Sequence, residues 1–185
     1  MKYIALLRGI NISGKNKISM SELKRALEEN GYENVSTYLN SGNVIFETKQ
    51  KSKDIIAKDI YNIVKATFNL EIPIFIMTAV ELEDILDNNP NWWGTGDKSI
   101  YDNLIFIIPP IKYAEVYAIL GEPSENIEKI EEYKNSVFWS YDLKNYRKSN
   151  WWCKTASTNI KDNITIRTAN TMKKLLEICK KIKEH

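Results

Sequence analysis

The sequence predicts an α+β protein built from two ferredoxin-like halves in tandem, each with the element order βαββαβ, and with an additional C-terminal helix. Three observations support this fold class. Short segments of alternating or continuous apolar residues are typical of strands, and between them apolar residues recur at helical spacing. The same order of elements occurs twice along 185 residues, which indicates duplication although the halves share no alignable repeat. The composition, 43% hydrophobic and 27% charged, is ordinary for a globular chain.

The first half is predicted to span residues 1–88. It opens with a strand over residues 3–8 and a polar glycine loop. The helix that follows begins at Ser19, which forms a capping box with Glu22, and it ends at Gly31, where a residue that tolerates positive φ is needed. The later elements are, in order, a hairpin within residues 34–48, an amphipathic helix over 56–68, a strand over 71–78 and a trailing helix over 78–88.

Turn residues without periodicity predict a junction at residues 89–101, so that the second half spans residues 102–185. Its predicted elements are a strand over 103–110, a helix over 113–120, a hairpin from 127–133 and 137–141, a helix-leaning segment over 143–157 and a short strand over 163–167. A closing helix then packs on the core through Met172, Leu175, Leu176, Cys179 and Ile182.

Charge and cysteine content exclude several classes of protein. A formal net charge of +2 gives no strong long-range field for polyanions. The two cysteines, Cys153 and Cys179, do not suggest a disulfide framework, and the apolar run Ile4–Leu7 is too short for a secretory signal. No apolar stretch approaches the roughly 20 residues of a membrane span. The sequence therefore predicts a cytoplasmic protein without a membrane partner.

The loop from Gly9 to Asn16 almost matches the phosphate-binding P-loop pattern G-x-x-x-x-G-K-[ST]. A working P-loop needs Ser or Thr where Asn16 stands, and it needs the helix to begin at Lys15 so that backbone amides wrap the phosphates. The cap at Ser19 places the helix start too late for this. We therefore interpret the loop as something other than a nucleoside triphosphate site, with loop geometry as the simplest role of its glycines.

Chain topology nevertheless predicts a polar ligand site. In a ferredoxin-like sheet the first and second strands run in the same direction with the third between them, so residues 8–16 and the hairpin turn at 40–43 emerge at one end. The start of the first helix opens there too, with partial positive charge on its amides. We expect an anionic or phosphorylated small molecule to bind there. The candidate residues are Arg8, Gly9, Asn11, Gly14, Lys15, Asn40, Ser41, Gly42 and Asn43, joined by Arg167 from the second half.

The stretch ALLRGINISGKNKISMSELKRALEENGYENVSTYLNSGNVIFET resembles the opening of a bacterial domain-of-unknown-function family, number 1697 of that series, with its LLRGIN loop and SGNV hairpin. Further on, TIRTANTMKKL is similar to the family's Thr-x-Arg-Asn-x-x-Thr stretch through Arg167, Asn170 and Thr171. Thr168 and Ala169 depart from that pattern, as does Ser19 where proline is common. The resemblance implies two ferredoxin-like halves and no established activity.

Other chemistries have less support in the sequence. The single histidine, His185, is the last residue, which leaves no partner for Ser-His, Cys-His or His-ligated metal sites. The sequence supports no metal site, and it leaves any cofactor unknown. The segment 146–154 mixes cations with aromatic rings, so single-stranded nucleic-acid binding is the alternative function. An enzyme that acts on a phosphorylated substrate is a further alternative. The pairs Trp92-Trp93 and Trp151-Trp152 have no role that the sequence assigns, although burial is the simplest one.

Overall fold

The computed structural model describes residues 1–181, and their contacts divide the chain into two units. One unit contains residues 1–83 together with residues 174–181, and the other contains residues 84–173. The predicted division into 1–88, 89–101 and 102–185 stays a prediction. Ile182 and His185 lie outside the described residues.

The first unit has the predicted βαββαβ order. Its four strands form one antiparallel sheet in the order β2-β3-β1-β4, in which β1 pairs with both β3 and β4. The elements are β1 (Lys2–Leu7), α1 (Met20–Glu29), β2 (Glu33–Tyr38), β3 (Asn43–Glu47), α2 (Lys53–Phe68), β4 (Ile74–Thr78) and the start of α3 (Ala79–Asp87).

Local sequence signals explain where the helices of this unit begin and end. The Ser19 hydroxyl accepts a hydrogen bond from the amide of Glu22, and the Ser52 hydroxyl caps α2 in the same way. Helix α1 ends at Asn30 and Gly31, and Gly31 has a φ of 85°. Helix α2 ends at Asn69 in the left-handed region. These caps explain why the predicted start and end of α1 are confirmed.

The second unit repeats the arrangement. Its sheet is antiparallel with the order β6-β7-β5-β8, which has the same strand pattern as the first sheet. The elements are β5 (Ile100–Ile107), α4 (Tyr113–Leu120), β6 (Glu128–Tyr133), β7 (Ser136–Asp142), α5 (Asn150–Ser157), β8 (Ile164–Thr168) and the start of α6 (Ala169–Lys181), with short 3-10 turns at Tyr146–Lys148 and Asn159–Asn163. The predicted fold class, with its final helix, is confirmed.

Each sheet has its own apolar core against its helices. In the first unit Tyr3, Ala5 and Leu7 of β1 lie in that core, and the alternate residues Ile4 and Leu6 are fully buried as well. Both faces of β1 are therefore buried. The core of the second unit is formed by buried residues of its sheet and of α4 and α5, including Ile105, Val116, Leu120, Val137, Trp139 and Trp151.

Candidate functional site

The loop between β1 and α1 folds back on itself in a tight turn. Ser13 and Gly14 have φ values of 49° and 76°, and positive φ at both central residues is the pattern of a type I′ turn. The amide of Lys15 donates to the carbonyl of Ile12 at 2.9 Å, which closes the turn. Ile12 and Lys15, the first and last residues of the turn, are both exposed.

Asn11 ties this loop to the hairpin between β2 and β3. Its Nδ2 donates to the carbonyl oxygens of Asn40 at 2.8 Å and Ile18 at 3.0 Å, and its Oδ1 accepts from the amide of Ile18 at 2.9 Å. Both amide hydrogens of Asn11 are thus used within the protein. The predicted meeting of residues 8–16 with residues 40–43 is confirmed, and Asn11 connects the two segments.

Gly42 brings the hairpin into direct contact with the end of β1. Its carbonyl accepts from the amide of Leu7 at 2.8 Å. A Cβ atom built on Gly42 would lie 2.7 Å from Cβ of Leu7 and 3.0 Å from Cδ1 of Ile10, and the residue has a φ of 81°. Only glycine satisfies both conditions. Gly42 therefore serves close backbone packing.

Asn43 and Ser41 form a second internal set of hydrogen bonds. Asn43 is fully buried, and its Nδ2 donates to the carbonyl of Tyr38 at 2.8 Å and to the hydroxyl of Ser41 at 3.0 Å. Both donors of the Asn43 amide are therefore engaged, as in Asn11. Asn11 and Asn43, two of the three asparagines in the predicted ligand set, thus use their amide hydrogens to hold the loops in place, and their contact with a ligand stays a prediction.

An open depression of about 550 Å³ lies beside these loops at the start of α1. From the predicted set, Asn11, Gly14 and Asn40 line it. It is completed by Lys17, Ile18, Ser19, Met20 and Ser21. The amides of Met20 and Ser21 belong to the first turn of α1 and have no acceptor within the helix. Because α1 begins at Met20, the arrangement is not that of a P-loop, as the sequence predicted.

Lys17 is the basic residue in the lining of this depression. Sequence reasoning missed it in favour of Lys15, which lies on the exposed turn, and Arg8, which follows β1. The amide of Arg8 donates to the carbonyl of Pro73 at 3.0 Å, and its side chain is half-buried. Gly9 accepts from the side chain of Asn16 at 3.0 Å. Which of the two lysines, Lys15 or Lys17, lines the depression depends on the turn at residues 12–15, and sequence spacing alone does not reveal this turn.

Arg167 lies on β8 of the second unit. Its guanidinium donates to the hydroxyl of Thr165 and to the carbonyl of Ile166, both at 2.9 Å, and the residue is buried. Burial disfavours the charged form and lowers the pKa of Arg167 to about 10. Its contribution to a site with the loops of the first unit stays a prediction.

The basic-aromatic segment 146–154 is largely occupied by contacts within the second unit. Trp151 is fully buried, and its Nε1 donates to the carbonyl of Gly121 at 2.8 Å. Trp152 packs edge-on against Tyr146 with ring centroids 4.8 Å apart. Lys154 donates to the carbonyl of Leu120 at 2.8 Å. Trp151 therefore has no free face for stacking a base.

Residues 1–181 contain no group of three or more His, Cys, Asp and Glu side chains that could hold a metal ion. No helix in the same part of the chain combines the length and the apolar character that crossing a bilayer requires.

Comparisons with known proteins agree with this fold. A conserved bacterial protein from Streptococcus pneumoniae, SP0830, has a solved structure that is similar to this chain, with a TM-score of 0.82 and 26% sequence identity. The similarity covers 96% of this chain and 97% of that one. No curated protein matches the sequence significantly. A family model described as "Protein of unknown function (DUF1697)" matches residues 1–138, which include both the LLRGIN loop and the SGNV hairpin. The chain therefore belongs to the DUF1697 family of proteins of unknown function.

Proposed function

We propose that the protein binds an anionic small molecule, through a phosphate or carboxylate group, in the depression at the start of α1. The observation that carries the proposal is that Met20 and Ser21, the first two residues of this helix, line the depression together with Lys17. Helix N-termini attract anions through unpaired amides and the helix dipole. None of the residues in the lining is acidic.

Helix α5 supports the proposal because its first turn binds an anion that the protein itself supplies. There the amide of Trp152 donates to its cap, Ser149, while the amides of Asn150 and Trp151 donate to the carboxylate of Glu128 at 2.8 and 3.2 Å. Helix α1 has the same cap, because the hydroxyl of Ser19 accepts a hydrogen bond from the amide of Glu22, the third residue of the helix. Its first two amides border an open depression instead of a carboxylate.

Titration with inorganic phosphate, followed by amide chemical shifts in NMR spectra, tests the proposal. We expect saturable shifts for Met20 and Ser21. Lys17→Ala should weaken binding about fivefold, as expected for loss of a contact worth about 1 kcal/mol. Lys24→Ala is the matched control, because Lys24 is a half-exposed lysine of α1 that lies outside the lining of the depression. Its ammonium group is 3.7 Å from the carboxylate of Glu28.

Arg8→Ala and Lys15→Ala test the charges that the sequence suggested. If either weakens phosphate binding as Lys17→Ala does, the anion also contacts the loop. Phosphate titrations that leave the Met20 and Ser21 amides unmoved would refute the proposal. Binding that persists unchanged in the Lys17 variant would refute the role of that lysine.

We also propose that the protein is cytoplasmic. Both cysteines are free, Cys153 at the surface and Cys179 buried. A secreted protein would more often use such residues in disulfides. Expression of the tagged chain in a bacterium, with fractionation of cytoplasm and periplasm, tests this location, and recovery in the periplasm would contradict it.

A further inference from the structure

Trp92 differs from the other tryptophans of the chain. Three of those are buried, and each donates a hydrogen bond from its indole Nε1. Trp93 donates to the carbonyl of Asn103 at 2.7 Å, Trp139 to the carboxylate of Glu128 at 3.0 Å, and Trp151 to the carbonyl of Gly121 at 2.8 Å. The fourth, Trp152, packs on the ring of Tyr146. Within residues 1–181, no hydrogen bond or ring contact engages the indole of Trp92, which is half-buried. Its packing role alone does not explain why so large an apolar ring remains partly exposed.

The Trp92 ring forms part of the wall of a cleft of about 580 Å³ within the second unit. Ile100, Ile127 and Tyr141 supply further apolar surface. The Tyr141 ring is held in place by Trp139 and Tyr101, whose centroids lie 4.8 and 5.5 Å from its own. Cavities of about 300–1,000 Å³ with apolar walls and a few polar groups are typical of small-molecule sites.

Two exposed lysines, Lys129 and Lys144, line the same cleft. Neither side chain forms a hydrogen bond within the described part of the chain. The two acidic residues of the lining are engaged internally. Asp142 accepts from the amide of Lys144 and the side chain of Asn145, both at 2.8 Å. Glu128 accepts from five donors, which are the amides of Ser124, Asn150 and Trp151, Nε1 of Trp139 and the hydroxyl of Ser149.

We propose that this cleft binds a small aromatic anion, with the ligand ring on the indole of Trp92 and its acidic group at Lys129 and Lys144. Both acids already accept hydrogen bonds from the protein's own donors, and the charge of Lys144 also attracts Asp142. The donors of the two lysine ammonium groups are not taken up by hydrogen bonds within the described residues, so they can face a ligand. An aromatic ring with an acidic substituent fits this combination of an apolar wall and two lysine side chains in one cleft. The site lies in the second unit and uses none of the residues of the proposed phosphate site.

Four probes separate the parts of this proposal: adenosine 5′-monophosphate, indole-3-acetate, adenosine and inorganic phosphate. Binding is measured by calorimetry, and contacts are measured as NOEs between ligand ring protons and the Trp92 indole in the intact protein. We expect at least one of the two aromatic anions to bind and to show these NOEs. Adenosine should bind about tenfold more weakly than its monophosphate, because it lacks the charge.

Trp92→Ala should weaken binding of the aromatic anion about tenfold, whereas Trp92→Phe should retain most of it. Lys129→Gln combined with Lys144→Gln should weaken it three- to tenfold and reduce its dependence on salt. Lys148→Gln, at an exposed lysine outside the cleft lining, is the control and should have no effect.

Three outcomes would overturn the proposal: neither aromatic anion binds, binding occurs without NOEs to Trp92, or adenosine binds as tightly as its monophosphate. The NOE measurement uses the unmodified protein, so it remains decisive if a variant fails to fold. Failure of phosphate to shift the amides of Met20 and Ser21 would refute only the site at α1.

Discussion

Gly42→Ala is the substitution for which the structure gives the sharpest expectation. Gly42 combines a φ of 81° with a site in which a new Cβ would lie 2.7 Å from Cβ of Leu7 and 3.1 Å from its carbonyl oxygen. Both of these atoms are fixed to the backbone of β1 and cannot rotate away. Insertion of a methyl group therefore has to displace the hairpin from the strand.

Gly14→Ala is the control that separates the cost of positive φ from the cost of steric overlap in Gly42→Ala. Gly14 has a similar φ of 76°, but no atom lies within 4 Å of its built Cβ. An alanine in the left-handed region costs about 1 kcal/mol, so this is the expected loss of stability for Gly14→Ala. Gly42→Ala should lose that amount plus about 1–3 kcal/mol for overpacking. The total of about 2–4 kcal/mol is a large part of the 5–15 kcal/mol that stabilises an ordinary domain.

Urea denaturation followed by far-UV circular dichroism measures both variants. With a slope of about 2 kcal/mol per molar, the midpoint of Gly42→Ala should lie about 1 M below that of Gly14→Ala. Hydrogen exchange adds a local measurement, because the Leu7 amide donates to Gly42 at 2.8 Å and should exchange faster in the Gly42 variant alone. Equal midpoints and equal exchange in the two variants would refute the reasoning.

Three further predictions concern buried or tethered polar groups. Glu128→Gln should destabilise the protein by about 2–4 kcal/mol in urea denaturation, because an amide cannot accept from all five donors, whereas Glu131→Gln on the exposed side of the same strand should change little. Asn11→Asp should lower the free energy of unfolding by about 1–2 kcal/mol, because it keeps the acceptor for the Ile18 amide but removes both hydrogen bonds that Asn11 donates. An unchanged urea midpoint would contradict this. Burial raises the pKa of Tyr141 to about 12. The contribution of the neutral Tyr141 side chain to the free energy of unfolding should therefore be complete below pH 10 and be lost as the pH rises from 10 to 12. The Tyr141 Cζ signal in carbon-13 NMR follows this titration, and a midpoint near pH 10 would disprove it.

Local sequence patterns predicted most of the helices and strands. Ser19 and Gly31 mark the ends of α1 because capping depends on the side chain and backbone of single residues. The β2-β3 hairpin was predicted because Ser41 and Gly42 are turn residues between two β-rich runs. Strand β5 begins at Ile100, three residues before the predicted start, because its first residues pair with the end of β7 in a way that no local pattern signals.

The roles of individual polar residues could not be predicted in the same way. Glu128 is one of several acidic residues in the edge strand EKIEEY, where alternation gives no reason to single it out. It is buried because its partners lie 21 to 23 residues away at the start of α5. Likewise, the sequence shows that Asn11 and Asn43 have donors, but not that the carbonyls of Asn40 and Tyr38 already take them.

These engaged side chains limit the kind of ligand that the proposed site at α1 would recognise. With the amide donors of Asn11 committed to the protein and Gly42 packed on β1, the loops are held in place before any ligand arrives. The entropic cost of ordering them on binding is therefore small. The remaining groups are backbone amides, hydroxyls and Lys17, which respond to negative charge and to the size of an oxyanion rather than to the rest of a molecule. Selectivity among phosphorylated compounds would then have to come from residues outside the lining. Two exposed apolar side chains lie close by in the sequence, Ile12 next to Asn11 and Leu39 next to Asn40.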